Sequence, residues 1–461
     1  MAFLGAWTMP HPPLAVPGIA DGADKRISKT LSAFKKAAAE IALLQPETII
    51  YVTPHSTLYS DYFHISPGKK ATGSFSRFGA PEIKFETEYD TELADEISKI
   101  AGKEGIDAGG EGELDAALDH GIMVPMWFIN RSYDAYRTVR ISQSGRSPAE
   151  HYRLGQCIIS AVEATGRKTI LIASSDLSHK LTYDGPYGYA PEGPRFDNFI
   201  TETLENGDFL SLFSISERLR RLAAECGYNS LMVLAGCFDR LSVKPSLLSY
   251  EGPLGVGYAV AGFYPGRIDE TRDFLDKYET ECLLNAEQSG NNADEYCRLA
   301  RNSLEYAVKT GGTLPVKDDL PEKMLKNKAG VFVSLQKDGQ LRGCIGTISP
   351  VTGSIASEII QNAVSAGLHD TRFSPVTASE LPYLTYKVDI LSPAEPVSGM
   401  EELDAKRFGV IVSSGMRRGL LLPNLDGVNT VEEQVAIAMQ KGGIRQGESI
   451  RIERFEVIRH E

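Results

Sequence analysis

Three histidines in the first 180 residues share one setting. His11 follows AWTMP, His55 follows IIYVTP and His179 follows ILIASSDLS, so each trails an apolar, strand-like run. A fourth, His120, opens HGIMVPM. In an open α/β sheet the carboxyl ends of the strands converge on the ligand crevice. Imidazoles gathered there can act as metal ligands and as proton carriers near neutral pH. Each histidine alone reads as an ordinary structural residue. The repeat of strand–Pro–His at 11 and 55, joined by the SSD-containing run before His179, is what points to a site. His64 in a polar strand and His151 in a helical pattern fit the structural reading. Around His11 the frame is PHPP: a residue before proline is biased to extended backbone, and Pro12 and Pro13 fix their own φ.

The elements that must position these residues alternate. FLGAWT, ETIIYVTPH and RKTILIASSDLSH read as strands. KRISKTLSAFKKAAAEIALL, TELADEISKIAGKEG, SPAEHYRLGQCIISAVEAT and ERLRRLAAECGYNSLMVLAGCFD read as helices, the last interrupted at CGYN. GIMVPMWFI is simply apolar. The alternation implies an α/β domain with a central sheet flanked by helices. It is expected over residues 1–268, followed by a helical linker at 269–292 and a smaller α+β domain at 293–461. EQSGNN, Glu287 to Asn292, has linker chemistry. In the second domain VSLQKDGQLRG predicts a hairpin turning at Asp338-Gly339.

Composition narrows the partners. A net charge of −13 argues against nucleic acid or an anionic membrane as the main partner, and no apolar run reaches the roughly 20 residues that span a bilayer. The start of the chain carries no basic n-region before its short apolar run, so no secretory signal is expected. Six cysteines without framework spacing read as reduced thiols in a cytoplasmic protein. A small-molecule substrate is expected, and homo-oligomerisation stays open.

PHPPL, TPH, LDHGIMVPM and SSDLSH, in this order and spacing, resemble the class III extradiol dioxygenase (LigB-like) family and its Memo-like branch, over essentially the whole first domain. The resemblance implies an α/β domain around a mononuclear metal, usually Fe(II). It maps two metal-binding histidines onto His11 and His55, the catalytic histidine onto His179 with Asp176 beside it, and a substrate-side histidine onto His120. For the third ligand the matching stretch is AAECGYNSLMVL, where the Memo-like pattern puts Cys226; its neighbour Glu225 would restore a two-His-one-carboxylate set. On a helix the two side chains would point about 100° apart, so only one can coordinate. A thiolate suits Cu or Zn as well as Fe. The implied activity is that of a non-haem iron oxidoreductase of the ring-cleaving type on an aromatic substrate. The alternatives are a Fe- or Cu-binding protein without turnover, a scaffold and a metal-dependent hydrolase.

In the second domain LRGCIGT, with NAVSAGLHDTRFSPV, ELPYLTYKVDILSPAEPV and GVIVSSGMRRGLLLPN, resembles the AMMECR-like family. Its candidate site comprises Arg342, Cys344, Asp370 and Arg372, with Arg342 placed to favour the Cys344 thiolate. The two domains in one chain resemble the AmmeMemoRadiSam system, which implies a radical SAM protein as partner in a modification pathway.

Overall fold

Four strands, β1 (Phe3–Met9) and the β-branched-rich β2 (Thr48–Thr53), β3 (Arg137–Ser142) and β4 (Thr169–Ser174), lie parallel in one sheet. In this computed structural model, which describes residues 2–461 except 20, 21, 338 and 426, the strand order is β3-β2-β4-β1-β6-β5. The antiparallel pair β5 (Leu241–Glu251) and β6 (Tyr258–Ile268) completes the edge beside β1. All six residues of β2 and of β4 are buried, as expected for parallel strands covered on both faces.

Period-2 alternation divides their side chains between two cores. Ile50, Val52, Leu171 and Ala173 pack toward α2 (Thr91–Lys103), α4 (Pro148–Thr165), α5 (Glu192–Asn206) and α7 (Tyr228–Gly236). Ile49, Tyr51, Ile170 and Ile172 pack toward α1 (Ser28–Leu44) and α3 (His120–Ile129). The chain thus has the α/β first domain that its alternation implies.

Three local features differ from the pattern reading. The apolar GIMVPMWFI is helix α3, buried nearly all round and containing Pro125; a helix without a polar face has no periodicity to read. Strand β3 escapes detection because Arg140 stands where an apolar residue is expected. Its buried guanidinium is accommodated by Glu113 Oε1 at 2.8 Å and by the carbonyls of Ala117 and Asp115 at 2.6 and 3.0 Å. Finally, Glu225 and Cys226 are not helical. Helix α6 (Glu217–Ala223) stops at Ala224, whose φ is +52°, and α7 begins at Tyr228, so the two side chains project from a loop and the helical 100° offset does not apply.

The chain separates into two compact units, Met1–Tyr278 and Glu279–Glu461. Glu287–Asn292 forms the end of a helix, α8 (Phe274–Asn292). The second unit is α+β. Its antiparallel sheet runs in the order β8 (Gln340–Gly346), β7 (Gly330–Lys337), β9 (Leu384–Leu391), β12 (Arg451–His460), β10 (Phe408–Ser414), β11 (Arg417–Leu421). Helices α9 (Glu295–Thr310) and α10 (Ile355–Leu368) cover β7 and β9, and α11 (Val431–Lys441) covers β10 and β11. Strands β7 and β8 pair through Lys337 and Gln340; Asp338, at the expected turn, lies outside the described residues. No helix among the described residues is long and apolar enough to cross a membrane.

Candidate metal centre

Strands β2, β4 and β1 are neighbours in the sheet, and adjacent strands lie about 4.8 Å apart. Their carboxyl ends therefore deliver His55, His179 and His11 to one rim. His11 Nε2 and His55 Nε2 are 3.0 Å apart, and Cys226 Sγ lies 3.6 Å from His11 Nε2. The three donor atoms all fall within 4.8 Å of one another. Metal–nitrogen bonds near 2.1 Å and metal–sulfur bonds near 2.3 Å place donors around one ion roughly 3–4 Å apart, so this set fits a single metal.

Each donor is held by its own local structure. His11 follows β1 and precedes Pro12, itself extended with φ −67°, a placement that biases His11 away from helical backbone; its backbone N–H donates to Asp176 Oδ1 at 2.8 Å. The N–H of His55 donates to Thr53 Oγ1 at 3.2 Å, and that hydroxyl donates to Asp119 Oδ1 at 2.7 Å. The Cys226 carbonyl accepts from Gln143 Nε2 at 2.9 Å, which pins the loop to the end of β3. Gly227 lets that loop approach β4: a Cβ there would lie 2.3 Å from Ser175 Cβ and 2.8 Å from the Asp176 carbonyl oxygen. Gly227→Ala should therefore cost about 1–3 kcal/mol by overpacking and weaken metal binding at least tenfold as Cys226 is pushed outward. Thermal melts and metal titration check this; unchanged affinity would refute the positioning role.

Burial holds the imidazoles neutral. His11 is well below its ordinary pKa, first through desolvation and then through His55, His120 and His179. Desolvation likewise lowers His55 and His179, and together with His55 and Arg77 it takes His120 down to about 3. Neutral imidazole is the form that binds metal. Burial raises the Cys226 thiol well above its usual range, helped by Asp176 and Glu225, so the thiolate needs a cation beside it.

The remaining residues take distinct places. His120 opens α3 and stacks on His55, with ring centroids 4.1 Å apart. The ring of His179 stacks on Tyr187 at 5.1 Å, and the residue's backbone N–H donates to the Ala223 carbonyl at 3.1 Å. Asp176 is turned toward His11: beyond its backbone bond, Oδ2 lies 3.7 Å from His11 Nε2, and burial lifts its pKa to about 7 against the opposing His11 N–H. Glu225 accepts from the Tyr228 N–H at 2.7 Å at the start of α7; its carboxylate is not among the clustered donors. His64 is fully buried, and His151 Nδ1 bonds the Ser147 carbonyl at 2.9 Å. Sequence reasoning did not find Gln143, Thr53 or Ser174. Gln143 carries no motif signal; Ser174, in the SSD motif, was overshadowed by Asp176.

In the second unit the four singled-out residues meet around β8. The Cys344 N–H donates to Asp370 Oδ2 at 2.9 Å, Arg372 Nη2 donates to the Cys344 carbonyl at 3.1 Å, and Ser334 Oγ donates to Cys344 Sγ at 3.2 Å. Arg372 grips Asp370 through two nitrogens at 2.9 and 2.7 Å. Arg342 is bonded bidentately to Glu380 at 2.9 and 3.1 Å, so its charge is matched there rather than directed at the thiol. Burial raises Glu380, but Arg342 and the Thr377 N–H outweigh it and hold the carboxyl at about 2. A depressed carboxylate contributes stability above its unfolded pKa and loses it as pH falls through the folded value. Glu380→Gln should thus destabilise the second unit by about 2 kcal/mol at pH 7, with the difference fading between pH 4.5 and about 2. Denaturant melts across that range check the sign; a pH-independent difference would contradict it.

Comparison with known proteins agrees with this division. Residues 5–261 match the family described as the catalytic LigB subunit of aromatic ring-opening dioxygenase, and residues 297–460 match AMMECR1. A Clostridium acetobutylicum protein is 42% identical over 468 aligned residues, covering 100% of this chain and 99% of its own length. A Thermotoga maritima protein is 47% identical over 167 residues, 36% of this chain and 96% of its own. A crystal structure from Escherichia coli K12 covers 56% of this chain and 99% of its own at 14% identity, with a TM-score of 0.40. With its strand-end histidines on the LigB-matching half and Cys344 on the other, the chain belongs to the LigB family through its first domain and carries an AMMECR1 domain as its second.

Proposed function

We propose that the first domain is a mononuclear non-haem iron centre held by His11, His55 and Cys226, acting as an oxidoreductase on a small dihydroxylated aromatic substrate. The observation that carries this reading is the convergence of three donor atoms within 4.8 Å at adjacent strand ends. Bound there, the metal would supply Lewis-acid and one-electron chemistry toward a chelating substrate and O₂. The chain supplies the proton handling. His179, kept neutral by burial, accepts a phenolic proton on a ring nitrogen and returns it later as a general acid. Its stack on Tyr187 fixes the plane of the ring during both transfers. His120, stacked on His55, offers a hydrogen bond to a substrate hydroxyl. Asp176 holds His11 through the backbone. The AMMECR1 domain and a radical SAM protein would act in the same modification pathway.

The test is metal analysis of full-length protein purified without oxygen, followed by O₂-dependent ring cleavage of a catechol panel. About one iron per chain and a ring-opened product support the reading; absence of both would end it. A second reading rests on the thiolate donor, which favours soft metals: a Cu- or Fe-binding protein without turnover. Stoichiometric Cu(I) that iron cannot displace, with no cleavage, would favour that one.

A further inference from the structure

The hydroxyl of Ser174, the last residue of β4, sits between two partners. It lies 2.6 Å from the carbonyl oxygen of Gly121 and 2.8 Å from Nδ1 of His11. A carbonyl oxygen only accepts, so the single hydroxyl proton of Ser174 goes to Gly121. Toward His11 the serine oxygen can then only accept, which requires a proton on Nδ1. A neutral imidazole carries one N–H, so Nε2 is left bare. Nε2 is the atom 3.0 Å from His55 Nε2 and 3.6 Å from Cys226 Sγ.

The Gly121 carbonyl is free for this purpose because of the sequence of α3. In an α-helix the carbonyl of residue 121 would accept from the N–H of residue 125. Residue 125 is proline and has no N–H. Residue 121 also has to be glycine: a Cβ would lie 2.4 Å from Thr53 Oγ1 and 3.1 Å from Ser174 Oγ. The Gly-x-x-x-Pro spacing of HGIMVP thus leaves one backbone acceptor exposed to Ser174.

We infer that Gly121, Pro125 and Ser174 form a relay that fixes the tautomer of His11, so that its Nε2 lone pair is presented to the metal before any metal arrives. All three are positioning residues, acting through His11. The inference deepens the reading of His11 as a ligand and rests on it, but the tautomer itself is independent of metal.

The test uses full-length protein with ¹⁵N-labelled histidine, stripped of metal, with the His11 ring signals assigned by their loss in His11→Ala. Long-range ¹H–¹⁵N correlation should show wild-type His11 protonated on Nδ1. Ser174→Ala removes the acceptor and should shift His11 toward the Nε2–H form or a mixture. Pro125→Ala adds a helical N–H as a second donor to the Gly121 carbonyl, weakens its hold on the Ser174 proton and should shift the tautomer in the same direction, without lowering the melting temperature. Co(II) titration, followed by thiolate-to-metal absorption, should show about 10–100-fold weaker binding in both variants, the usual cost of losing a ligand's hydrogen-bond partner. Ser174→Thr, which keeps the hydroxyl, should restore tautomer and affinity. A wild-type His11 protonated on Nε2, or a tautomer unmoved by Ser174→Ala, would overturn the relay. An effect of Ser174→Ala with none from Pro125→Ala would remove the proline from it. Should His11→Ala retain stoichiometric metal, the ligand assignment fails while the tautomer result still decides the relay.

Discussion

Replacing either His11 or His55 by alanine should abolish stoichiometric metal binding while leaving the fold intact. The proposed centre has three donors, and burial keeps both histidine rings in the neutral form that binds metal. Loss of one donor from a three-donor set leaves two, too few to hold the metal through purification. The third position gives a sharper contrast. Cys226→Ser should lose most of its affinity, because Cys226 Sγ is within reach of both histidines. Glu225→Gln should keep it, because that carboxylate bonds the Tyr228 N–H. Metal analysis and anaerobic Co(II) titration of the four variants check the set. Equal affinities in Cys226→Ser and Glu225→Gln, or full metal content in both histidine variants, would show that the ion is held elsewhere.

His179→Ala should separate binding from chemistry. The residue follows β4, between the strands that carry His11 and His55, yet its ring stacks on Tyr187 and lies outside the clustered donors. The variant should retain metal at wild-type stoichiometry. Its turnover on a cleavable catechol should fall about 10²–10⁴-fold, the typical loss when a general acid–base is removed. Metal loss would make His179 a ligand, and an undiminished rate would remove it from catalysis.

The sequence by itself carried the local pieces. Strand–Pro–His at 11 and 55 could be recognised because proline punctuates the end of an apolar run. The α/β class followed from the alternation of strands and amphipathic helices. Cys226 could be named beside Glu225 because AAECGYNSLMVL resembles the Memo-like pattern. What the sequence could not decide was anything requiring two distant segments at once. That β4 lies between β2 and β1, bringing three histidines to one rim, is a matter of strand order, which periodicity along the chain does not encode. Where the two adjacent side chains point depended on where α6 stops, and Ala224 takes the left-handed turn there without the glycine that would announce it. Strand β3 was hidden because Arg140 reads as a surface residue until Glu113 and two loop carbonyls are seen around it. Arg342 likewise looked like a cation for Cys344, its near neighbour in sequence. Folding brings Glu380, 38 residues away, into bidentate contact with it, and a carboxylate at that distance outcompetes a thiol for a guanidinium.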